Sequence, residues 1–186
     1  MQGKIYKKCE LVEDSYLFDF FLIVFFFLTV FFLDFTDLED VIHQKKWNFS
    51  RAADHELVAE IASHWCSYRL YFTWSENINA LSFSITFDIK FPETKLNKAY
   101  ELLGLINENL WIGHFDITSK NGIPAFRHTL LSNNSTETLH KKFEDLVDIG
   151  IYECEKFYPS FQQVLFDDIP PKDAIKFSNF EVIGRA

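Results

Sequence analysis

Apolar residues recur along this chain in three patterns, and each predicts a different kind of segment. Alternation marks strands. In "ALSFSITFDI", Leu81, Phe83, Ile85, Phe87 and Ile89 fall on one face, with Ala80, Ser82, Ser84, Thr86 and Asp88 on the other, so one face is buried and one is wet. The preceding strand differs: Tyr68, Leu70, Phe72 and Trp74 alternate with Trp65, Ser67, Arg69, Tyr71 and Thr73, which puts aromatic rings on both faces. A turn at "SENIN" joins the two, and residues 47–89 read as an antiparallel meander of three strands.

Three-and-four spacing marks helices. In "FTDLEDVIHQKK" the residues Leu38, Val41 and Ile42 form a stripe, and Thr36 and Glu39 have the spacing of a capping box. Beyond Pro92, which suits a first helical turn, Leu96, Ala99, Tyr100, Leu103, Ile106 and Leu110 predict a second helix. "IGHFDITS" and "IPAFRHTLL" then flank Lys120-Asn121-Gly122, which predicts a tight hairpin. The longest helix carries Leu139, Phe143, Leu146, Val147, Gly150, Cys154 and Phe157 along one side. Pro159 is expected to bend or end it, with short helices in "SFQQVLF" and "DDIPPKDAIKF". The order is helix, three strands, helix, two strands, helix, an α+β domain.

The third pattern is a continuous run, "FFLIVFFFLTVFF" from Phe20 to Phe32, broken only by Thr29. A spanning helix needs roughly 20 apolar residues to cross about 30 Å of hydrocarbon. Phe20 to Leu33 supplies 14, and extension to 20 takes in Asp19 and Asp34 near the interfaces. An export signal fits less well, because four acids follow Lys4, Lys7 and Lys8 and no small-residue cleavage site follows the run. Two expectations remain: a short membrane segment, or upstream sequence absent from the working protein. Nine phenylalanines from Phe18 to Phe35 are what a T-rich stretch read in frame would yield, which sets the second level with the first.

The 186 residues carry a formal charge of −9, which repels phosphate backbones and disfavours a nucleic-acid grip. Only one of those net charges lies in residues 1–33, so the acidity belongs to the domain. Cys9, Cys66 and Cys154 are odd in number and show no C-x-x-C spacing, which fits free thiols in a reducing cytoplasm.

Candidate chemistry is sparse. His114 and Asp116 share a strand face, with Arg127 and His128 across the Asn-Gly turn. A His–Asp pair can orient an imidazole as a base with an arginine holding an anion, yet the same spacing is how any wet hairpin displays polar groups, and no nucleophile accompanies it. Six histidines show no H-x-x-x-H or H-E-x-x-H spacing and six glycines form no phosphate loop; neither a metal nor a cofactor is expected. Trp65, Arg69 and Tyr71 weigh more, since an arginine between aromatics is the composition of protein interfaces; the simpler reading is that a C-terminal helix covers them.

The segments "WCSYRLYFTW", "FPETKLNKAYELLGLINENLWIGHFDI", "GIPAFRHTLL" and "YECEKFYPSFQQVLF" resemble the YbjN domain family, associated with bacterial sensory transduction, from about Phe35 to Phe166. The resemblance implies helices packed on a five-stranded antiparallel sheet, similar to type III secretion chaperones, and no catalytic residues. The expected organisation is a hydrophobic extension at 1–33, the domain at 34–168 and a tail at 169–186. The expected function is a non-enzymatic regulatory or chaperone-like module in the cytoplasm, contacting a protein partner or a second copy through Trp65, Arg69, Tyr71, His114 and Arg127, with membrane contact through Phe20 to Leu33. An enzyme using the His/Asp/Arg hairpin is the alternative.

Overall fold

The stretch "NFSRAADHELVAEIA" folds back at Asp54 and His55 into two strands, β1 (Asn48–Ala53) and β2 (Glu56–Ala62), where alternation predicts one. The reason lies in β1, whose positions are all exposed or half-buried, so no period-two apolar face announces it. The sheet therefore has six strands rather than five, adding β3 (Ser67–Ser75), β4 (Ala80–Thr86), β5 (His114–Ile117) and β6 (Pro124–Leu131). All pairings are antiparallel, in the order β1-β2-β3-β4-β6-β5. This computed structural model describes residues 35–118, 120–131 and 136–178; the apolar run at 20–32 and the tail beyond 178 lie outside the described residues, as does the side chain of Thr36 on which the expected cap depends.

Among the described residues four α-helices complete the domain: α1 (Phe35–Gln44), α2 (Leu96–Asn107), α3 (Thr136–Leu165) and α4 (Pro171–Ser178). Helix α3 lies on the apolar face of the sheet. Phe143 packs on Phe72, Phe157 on Phe115, and Phe161 on Phe87, Phe91 and Phe115. At Gly150 an added Cβ would stand 3.0 Å from both Phe83 and Ile85, so the missing side chain lets helix and sheet approach closely. Pro159 neither ends nor divides α3, which continues to Leu165. A proline inside a helix costs about 3 kcal/mol; here the buried Phe157, Tyr158, Phe161 and Val164 around it hold the helix on the sheet at roughly 1.5–3 kcal/mol each.

The edges of the sheet are managed differently. At β5, Asn107 from the end of α2 acts as a strand mimic: its Nδ2 donates to the Phe115 carbonyl at 2.9 Å, and its Oδ1 accepts from the Phe115 amide at 2.7 Å. That satisfies outward-facing groups an edge strand would otherwise offer to another chain. At β1 the pairing with β2 is interrupted by a bulge between Arg51 and Ala53, and Arg51 pairs with Glu39 of α1 at 2.9 Å. The β5–β6 connection runs from Thr118 to Ile123, longer than the tight turn expected, and Gly122 alone of the Asn-Gly pair takes a positive φ, of 69°. Among the described residues no helix is long and apolar enough to cross a membrane.

Candidate functional site

The face of the sheet opposite α3 carries the polar half of each alternating strand. Among the described residues no element covers it: Ser67, Arg69, Ser82 and Arg127 are exposed, and Tyr71, Ser84 and Thr86 are half-buried. The ladder register arranges these side chains in rows. One row runs Val58, Tyr71, Ser84, Arg127, His114, and the next runs Glu60, Arg69, Thr86, Ala125, Asp116. Arg69 and Tyr71 of β3 thus meet the β5–β6 hairpin over a cleft of about 510 Å³.

Electrostatics tie the rows together. A hydrogen bond with the Tyr71 hydroxyl, joined by the Glu60 carboxylate, holds the Arg69 guanidinium above its ordinary pKa. Arg127 Nε lies 3.3 Å from Asp116 Oδ2. Asp116 makes that ion pair with Arg127 and none with His114, so the His–Asp dyad that would orient an imidazole does not form. His128 points the other way: it pairs with buried Phe83, and burial, reinforced by His114, lowers its pKa.

Trp65 also leaves the group in which the alternation places it. It sits in the connection ahead of β3, where the strand parity no longer applies, and stacks on Tyr158 of α3 with centroids 6.4 Å apart and planes 20° from parallel. Of the residues singled out in the sequence, Arg69, Tyr71, His114, Asp116 and Arg127 share the open face, while Trp65 and His128 do not.

A second polar cluster has no signal in the sequence, because its paired members lie 70 and 92 residues apart. Tyr158 donates to Asp88 at 2.9 Å, and Ser63 donates to Glu155. Burial pushes the neighbouring Cys66 thiol up to about 11, and Cys154, wholly buried, is raised as well. Thiols held protonated in this way are poor nucleophiles, and the cluster joins the β2–β3 connection and the segment after β4 to α3. Among the described residues no three His, Cys, Asp or Glu side chains gather as a metal site.

Helices on one face of an antiparallel sheet, with the other face wet among the described residues, define an α+β module, a class of fold that does not by itself fix a function. The profile of the YbjN family, described as "Putative bacterial sensory transduction regulator", matches residues 34–163, and the chain belongs to that family. No curated protein and no solved structure matches it.

Proposed function

We propose that this chain is a non-enzymatic regulatory module that acts, in a chaperone-like manner, by holding a protein partner or a second copy of itself on the open face of the sheet. The observation that supports this is convergence: Arg69 and Tyr71 come from one strand, Arg127 and His114 from a hairpin about fifty residues away, and the register brings them onto one uncovered surface. Arginine and tyrosine are the residues that most often carry binding energy at interfaces. The setting is cytoplasmic, and where residues 1–33 are retained the module is tethered to a membrane through Phe20 to Leu33.

The test is capture and self-association of the full-length chain, read by pull-down and by light scattering. Arg69→Glu with Arg127→Glu should abolish both while leaving circular dichroism unchanged, since both side chains are exposed. Retention of partner and oligomeric state in that double variant would sink the reading. Activity lost in His114→Ala with partner capture intact would favour the enzymatic alternative instead.

A further inference from the structure

We propose that the trough over β4 on the open face is a binding site for a small organic anion, a ligand carrying a phosphate or a carboxylate. Its floor is made of short side chains, Ser84 and Thr86 of β4 and Ala125 of β6. Arg69 rises on one side and Arg127 on the other. The register sets their Cα atoms about 12 Å apart, two strand spacings across and two residues along, so both long side chains reach a ligand lying between them.

One end of the trough is walled. Lys90 follows β4 there, and the β5–β6 connection is clamped beside it: the Phe91 amide donates to the Gly122 carbonyl at 2.8 Å. A Cβ at Gly122 would stand 2.2 Å from the Phe91 carbonyl oxygen, so the clamp depends on glycine. A groove closed at one end suits a compact ligand better than a polypeptide that must run through, and about 510 Å³ falls within the range of small-molecule sites.

Two guanidiniums flanking a floor of short side chains identify the ligand class. Arg69, Lys90 and Arg127 line the trough with Glu60 and Asp88, and Asp116 stands beside Arg127, so cations and carboxylates balance here in a chain whose total is −9. The contact of Arg127 with Asp116, at 3.3 Å, is longer than the roughly 2.8 Å of a tight charge-assisted bond, so a phosphate or carboxylate that meets the guanidinium fork squarely competes well. The Ser84 hydroxyl adds a donor on the floor. The site does not depend on the partner reading above: a ligand fits the trough whether or not a protein docks over the face.

Calorimetry and amide NMR on the full-length chain, titrated separately with pyrophosphate and with glutarate at low ionic strength, test the site without any protein partner. Saturable binding of at least one probe is expected, weakened about tenfold by Arg69→Ala or Arg127→Ala. Arg127→Lys should weaken it as well, because the planar fork is lost, while Lys172→Ala on α4 leaves it unchanged. Binding of pyrophosphate alone would assign a phosphate ligand, and of glutarate alone a carboxylate. No saturable response to either probe, or binding that both alanine variants leave intact, would overturn the proposal.

Discussion

Glu153 shows how one side chain reports on its surroundings. It is half-buried on α3, and burial raises its pKa above 4.5 despite Lys156, whose ammonium is 3.8 Å away. Desolvation therefore outweighs a long, loosely held ion pair. A raised folded-state value means that the folded chain retains the proton longer than the unfolded chain, so stability falls as pH rises from 4.5 through the folded value. Glu153→Gln should then stabilise the domain at neutral pH, by about 0.5 kcal/mol once solvent screening is allowed for. The gain should vanish below pH 4.5. Thermal melts across that range check it, and a loss of stability at neutral pH would mean that the Lys156 pair dominates. Nothing in the sequence around Glu153 separates it from other helix acids; its environment is made by the packing of α3.

At the scale of elements, the sequence was legible where periodicity was clean and misleading where it was not. The β4 alternation of Leu81, Phe83 and Ile85 and the α1 stripe of Leu38, Val41 and Ile42 are in place, because each side chain faces the core at the predicted spacing. The β1 strand was invisible for want of an apolar face, and α3 runs through Pro159 because tertiary burial outweighs the local penalty. The closure of the β5 edge was equally illegible, since an asparagine at the end of a helix does not announce which strand it will satisfy. Asn107→Ala leaves the Phe115 amide and carbonyl without their partner and should cost about 1–3 kcal/mol. Urea denaturation measures it, with faster amide exchange at Phe115. A change within error would show that water replaces the side chain without loss.

At the scale of the whole molecule, the two faces of the sheet have opposite roles. One is dry and aromatic: Phe72, Phe83, Phe115 and Phe126 are almost wholly buried, and α3 seals them at the close approach allowed by Gly150. Gly150→Val would force branched atoms where even a Cβ stands 3.0 Å from Phe83 and Ile85. A loss of about 1–3 kcal/mol is expected from overpacking, read by chemical denaturation; unchanged stability would show that the layers separate freely. The other face is polar and open, and it holds the candidate site. The sequence by itself determined the α+β class, the family and the two faces of β3 and β4, because alternation and helical spacing are local properties of the chain. Only the tertiary structure decided that Arg69 and Tyr71 stand beside His114 and Arg127 while Trp65 turns to α3. Register and strand order join residues about fifty positions apart, and no local pattern encodes which strand will be whose neighbour.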